Sequence, residues 1–435
     1  HPVLDRDGYD TAVRPLYGAG TTGGTVLLGG ATLSFWTTSN STAEYAGTIA
    51  EAGSIVQRGN YRQALTGCGS SYTGTTTITA GTLAVQCLDD GGANSSIGAS
   101  GADAANLVIS GGTLQYIGAG STTDRLFTLG PSTTSAIDAS GTGAVRFTNT
   151  GAIAFSTPGT AQTITLTGTS TADNSLAARI DNNAGEATSL RKLGTGTWIL
   201  RNSASTYTGA TTILGGVLGV DRLSNGGVAS SIGASSGAAS NLVIGSDSTL
   251  RYTGAGDTTD RLFTLSTGVS FIESSGTGAI VFSNTGSAAY SGNGNRTLAL
   301  GGSNAGDNTM GGTIINGPGG TTTLAKNGTG TWLLTGNNSY TGNTVINGGT
   351  LQIGNGGTTG SIASANIINA AGTLAFDRAD TLALAGTISG AGDVRQSGAG
   401  TTVLTATNTY TGGTNITAGT LQLGDGGTTG SILGD

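Results

Sequence analysis

The chain has 435 residues, and only 9% are charged, against ~25% in an ordinary soluble domain. Its 80 glycines with 5 prolines and no G-X-Y period exclude collagen, while plentiful Thr, Val, Ile and Leu exclude a disordered tail. A net charge of −7 leaves no basic stripe for nucleic acid, and no apolar run approaches the ~20 residues of a membrane-spanning helix.

The N-terminal residues 1–23 differ in style from the rest and are predicted to cap the first turn or to dock on a neighbour as an arm. The chain opens with His1, its only histidine, and not with Met, which reads as a processed N-terminus. "DRDGYD" places Asp5, Asp7 and Asp10 around a turn glycine as a calcium candidate. It lacks the third alternating ligand and the distal Glu of a full EF-hand loop. "GAGTTG" from Gly18 matches a phosphate-loop spacing, but the strand "TVLL" follows it where a helix is needed. No cofactor is expected. Trp36 stands outside any repeating pattern.

Residues 24–435 read as one repetitive domain, with frames near 66–100, 190–235, 324–365 and 394–435. Tyr-Thr-Gly begins at Tyr72, Tyr207, Tyr340 and Tyr410, at spacings of 135, 133 and 70. Between frames, "NLVISGGTLQYIGAGSTTDRLFTL" from Asn106 returns as "NLVIGSDSTLRYTGAGDTTDRLFTL" from Asn241. Short Thr/Val/Ile runs alternate with Gly-Gly and Asn-Gly breaks that supply the positive φ of tight corners. The reading is all-β: a single parallel β-helix (solenoid) of roughly 20 rungs, ~20–22 residues each, with aliphatic residues inward and hydroxyls outward.

"LAKNGTGTWLLTGNNSYTGNTVINGGTLQIG" from Leu324 and "LRKLGTGTWILRNSASTYTGATTILGGVLGV" from Leu190 resemble the autotransporter-associated β-strand repeat of bacterial type V secretion passengers. The copies near Tyr72 and Tyr410 match its latter half. The resemblance implies the right-handed β-helix, passage through the outer membrane, and an extracellular or outer-surface, secreted destination. The lipid-facing strands of the family's membrane barrel do not occur here, which reads as a cleaved or partial precursor.

Cys68 and Cys87 lie 19 residues apart, about one rung. With the oxidising compartment that the resemblance implies, they are expected to form a rung-to-rung disulfide, two buried free thiols being the alternative. No Ser-His-Asp or Cys-His arrangement is available inside the fold. A Ser-Lys pair would need Lys192 or Lys326, which share one place in the frame and read as structural surface residues. Asp89 with Asp90, and Asp257 with Asp260 and Arg261, are the nearest candidates for carboxylate chemistry on polysaccharides. Asp124 and Arg125 recur at the equivalent point, so an Asp-Arg pair bracing a corner is the expected role. The frame tyrosines, Trp198 and Trp332 are expected to plug corners or shield rung edges.

The chain stops at "GDGGTTGSILGD", and "TVLLGGATLSF" from Thr25 supplies the phrase that follows the previous copy, "NIINAAGTLAF" from Asn366. This predicts head-to-tail, non-closing self-association through Val26, Leu28, Ile432 and Leu433, with the repeat phrase broken between Asp435 and Thr25 and the arm from His1 to Gly20 laid along the neighbour. The expected function is therefore a non-catalytic subunit of a bacterial surface or biofilm-matrix fibre. The alternative is a monomeric autotransporter adhesin, with a polysaccharide-acting enzyme third. The expected partners are the chain itself, and other cells or matrix polysaccharide.

Overall fold

The computed structural model describes residues 3–5, 7–18, 23–36, 42–131 and 135–433. Expectations placed on His1, residues 19–22 and Asp435 lie outside these. Among the described residues there is no α-helix, only short strands and two single turns of 3-10 helix. No helix is long and apolar enough to cross a membrane.

The strands pair in parallel, each with its counterpart one turn away, which is the ladder of a β-solenoid. The chain forms two compact units, His1–Thr211 with Gly216–Leu218 and Ala229–Ser235, and Thr212–Gly215 with Gly219–Val228 and Ser236–Asp435. Together they hold about 18 turns. The count falls below the expected 20 because turns are unequal: Arg62 to Thr82 is a step of 20 residues, Thr82 to Thr113 one of 31. The extra residues sit in corner loops, which do not alter strand register.

In the first unit one sheet runs through Thr42–Tyr45, Arg62–Leu65, Thr82–Val85, Thr113–Tyr116, Ala136–Ala139, Gln162–Thr167 and Thr188–Lys192. A second runs from Thr11–Val13 to Ala154–Phe155, and a third includes Ser121–Thr123, Val145–Phe147 and Asn174–Leu176. In the second unit one sheet stacks Ser248–Tyr252, Gly268–Ser274, Arg296–Gly301, Thr322–Lys326 and Thr344–Ile346. Its neighbour stacks Ala255–Thr259, Gly278–Phe282, Asn308–Met310, Thr331–Leu334 and Thr350–Ile353.

Alternation of side chains along each strand sends every second residue inward. Register then places like on like: Leu83, Leu114, Ile137 and Leu166 form one buried column, and Met310, Leu334, Ile353 and Phe376 another. Each fully buried aliphatic side chain contributes roughly 1.5–3 kcal/mol. These columns are the core.

The N-terminal segment is part of the stack. Val3–Asp5 pairs with Thr25–Leu27, and Thr11–Val13 with Leu33–Phe35. Because these strands cover the turn beneath, Val26 is 2% exposed and Leu28 fully buried, so neither belongs to an end face as expected from sequence. Ile432 is half-buried, and Leu433 is 70% exposed.

One pair of glycines separates conformational need from mere absence of a side chain. Gly302 has φ +100°, and a Cβ there would collide with the Ser274 carbonyl of the turn below. At Gly301 a Cβ would meet only Glu273 Cγ at 3.4 Å and Asn327 beyond it, which is ordinary contact. Gly302→Ala is expected to lower unfolding stability by at least ~1–3 kcal/mol, through a strained backbone and the clash. Gly301→Ala should leave the urea midpoint unchanged within error, and equal midpoints for the two variants would refute the distinction.

Candidate functional site

Most of the charged side chains that the sequence singles out hold backbone groups at the corners. Arg125, 2% exposed, donates from Nε to the Asp89 carbonyl (3.0 Å), from Nη1 to the Ser100 carbonyl (2.7 Å), and from Nη2 to the Gly98 carbonyl (3.0 Å). Burial pushes its pKa down, and Tyr72 and the nearby Asp124, Asp89 and Asp90 oppose that shift. Asp124 accepts the Gly91 amide at 2.7 Å, and Asp90 accepts the Asp124 amide at 2.8 Å. The expected Asp-Arg brace exists, but each member grips the corner backbone.

The second unit repeats the device. Arg261 donates to the Ser224 carbonyl at 2.9 Å, Asp260 accepts the Gly226 amide at 2.6 Å, and Asn225 accepts the Asp260 amide at 2.9 Å. Asp257 accepts the Leu223 amide at 2.9 Å. Sugar hydrolysis needs one carboxylate to donate and another to attack or activate water. Here Asp89, Asp90, Asp257 and Asp260 lie in corners whose carboxylates or carbonyls hold loop backbone in place.

Lys192 and Lys326 are fully buried, which corrects the expectation of a surface role. Each is the last inward residue before a glycine corner. The Lys326 ammonium donates to the carbonyls of Asn327 (2.9 Å), Gly328 (3.2 Å) and Gly348 (3.0 Å), and Lys192 to those of Leu193 and Gly194. Gln57 and Gln396 end the equivalent strands of the other two frames and donate to Gly59 and Tyr61, and to Gly398 and Gly400. Their Oε1 atoms have no partner in this buried place. A lysine brings no acceptor and so leaves none orphaned.

The aromatic expectations hold. Tyr72, Tyr207, Tyr340 and Tyr410 are buried, and each hydroxyl meets the threonine four residues on, at 2.7–2.8 Å. The buried Trp198 and Trp332 donate from Nε1 to the carbonyls of Thr167 (2.8 Å) and Gly301 (2.9 Å). Trp36 is 52% exposed. Cys68 and Cys87 are joined by a disulfide with Cα atoms 5.4 Å apart.

Asp5, Asp7 and Asp10 do not gather into one site. Asp5 accepts the Asp7 amide at 3.0 Å within its own turn, whereas Asp10 accepts the Thr32 amide of the next turn at 2.7 Å. Among the described residues no group of three or more His, Cys, Asp or Glu is arranged to hold a metal ion.

Two measurements follow from these caps. Lys326→Met would leave three carbonyls without their donor and should cost about 2–4 kcal/mol, whereas Lys326→Gln, the residue of two other frames, should cost less than half of that. Burial lowers both ammonium groups from 10.5 to about 8. Between pH 8 and 10.5 the unfolded chain therefore holds more protons than the folded one, and stability should rise with pH in that window. Urea melts at pH 7.5 and 10 should show the rise in the native chain, and its persistence in the Lys192→Gln, Lys326→Gln double variant would refute the assignment. Chain unfolded without reductant should show no free thiol, and opening the 19-residue loop by reduction should cost roughly 3 kcal/mol.

The passenger-associated-transport-repeat family model matches residues 57–85, 190–220, 324–353 and 394–423, so each match spans one corner capped by Gln57, Lys192, Lys326 or Gln396. The chain is 58% identical over 391 residues to the adhesin BmaC autotransporter of Brucella suis biovar 1 (strain 1330), a similarity covering 90% of this chain and 11% of that relative. No solved structure matches the chain. The four repeat matches and the long similarity mark the chain as an autotransporter passenger segment built on passenger-associated transport repeats.

Proposed function

We propose that this segment is a non-catalytic part of an autotransporter adhesin passenger, exposed at the cell surface or secreted. The supporting observation is the 58% identity that runs through nine-tenths of the chain to a protein named as an adhesin. The geometry agrees with it: Arg125, Arg261, Lys192, Lys326, Asp124 and Asp260 all stiffen corners, a use that suits a scaffold holding outward faces in place.

The adhesin reading has more behind it than the head-to-tail fibre, which the relative's name does not support. Val26 and Leu28, half of the contact expected for that fibre, are interior residues. The chain spans about 11% of that relative's length.

Displayed on a non-adherent bacterium, the segment should raise attachment to cultured animal cells or immobilised matrix proteins severalfold over the empty display system. Purified segment added in solution should compete that attachment away. Attachment equal to the empty display would refute the adhesin reading, and long filaments of the purified segment by electron microscopy would restore the fibre.

A further inference from the structure

The two units contain long repeats that match in stretches, and one outward row at which they differ coincides with a depression in the surface. In the first unit one outward row runs Gln115, Asp138, Thr167 in direct register. Its counterpart in the second unit is Arg251, Glu273, Gly301. The equivalence follows from "TLQYIGAG" against "TLRYTGAG", and from the buried indoles of Trp198 and Trp332, which hold the carbonyls of Thr167 and Gly301 respectively. Two residues before Asp138 stands Ala136, and two before Glu273 stands Phe271. Leu193 of "KLGTGTW" becomes Asn327 of "KNGTGTW".

These replacements all fall on one patch. In the second unit they line an open depression of about 450 Å³ bounded by Phe271, Arg251, Glu273, Asn327, Gly301 and Gly302. Arg251 Nε and Glu273 Oε2 are 2.7 Å apart, and their side chains stay 34% and 26% exposed. Phe271 is half-buried on the outward face of its strand. Gly301 is not glycine for the sake of its backbone, since a Cβ there makes only ordinary contacts. Its missing side chain leaves open the space that Thr167 fills in the first unit.

We propose that this depression is a binding site for a neutral glycan, with a pyranose ring against Phe271 and its hydroxyls bonded to Arg251, Glu273 and Asn327. The C–H face of a sugar suits an aromatic ring, and its hydroxyls donate and accept in turn. The site offers a guanidinium donor, a carboxylate acceptor and an amide that does both. Its two charges balance each other, so a ligand need bring none. A sialic or sulfated sugar would set a second anion against Glu273. The open, shallow form suits one ring of a chain better than a small molecule that must be enclosed.

The inference names a ligand class for the adhesin and rests on that reading for its biological role. Purified native chain should be applied to immobilised neutral oligosaccharides and their sialylated and sulfated counterparts, beside Phe271→Ala and Gly301→Thr. Gly301→Thr installs the residue that the first unit carries at the same place, so its unfolding midpoint should match the native one. The native chain should retain at least one neutral oligosaccharide, and both variants should bind it at least tenfold more weakly. Retention of no neutral oligosaccharide, retention of acidic sugars alone, or unchanged binding in both variants would overturn the inference. Adhesion by displayed cells without glycan retention by the purified chain overturns this site and leaves the adhesin reading standing. Glycan retention without adhesion supports the site and counts against that reading.

Discussion

A parallel ladder with one turn directly above the next imposes one constraint on everything else in this fold. The side chain at a given inward position must rest on its counterpart ~4.8 Å below, so each column runs through the turns as a single packed object. Aliphatic residues meet this by stacking. A polar residue in a column has to find partners within the backbone around it, because water does not reach it. Asn174 and Asn308 do so by accepting the amides of Val145 and Ile280 and donating to the carbonyls of Thr197 and Thr331. Asn369 accepts the Gly372 amide and donates to the Asp393 carbonyl. Lys192, Lys326, Gln57 and Gln396 answer the same demand at strand ends, where the chain turns and its carbonyls lose the ladder.

The constraint also divides labour between the inside and the outside. Many inward positions and corner braces are shared by both long units, down to paired equivalents such as Arg125 and Arg261 or Trp198 and Trp332. Outward positions carry no such obligation, because a change there leaves the columns intact. The row Gln115, Asp138, Thr167 could therefore diverge from Arg251, Glu273, Gly301 without disturbing the stack. Recognition on such a scaffold resides in rows that cross several turns, and its function has to be argued from those rows.

Much of the fold was legible. Short β-branched runs, glycine breaks and the returning Tyr-Thr-Gly frame implied a parallel solenoid, and their spacing placed Cys68 about one turn from Cys87. The fixed place of the frame tyrosines pointed to their buried corner role, while the bond from each hydroxyl to the threonine four residues on came only from the structure. The burial of Lys192 and Lys326 was not legible, since a lysine ordinarily signals a surface, and only the corner carbonyls explain its inward place. Turn length escaped as well: loops of different size leave the strand register untouched, so a mean period overestimates the number of turns.

The sequence by itself determined the class of fold and the frames, because those depend on local conformation and on residues that recur at a fixed phase. Tertiary structure decided which positions become neighbours across turns. Arg251, Phe271, Glu273 and Gly301 span 50 residues of chain, and no local signal joins them. The register of three parallel strands does, by laying successive turns in one row, so that a missing side chain at Gly301 opens beside Glu273 and Phe271 of the next strand and Arg251 of the one beyond.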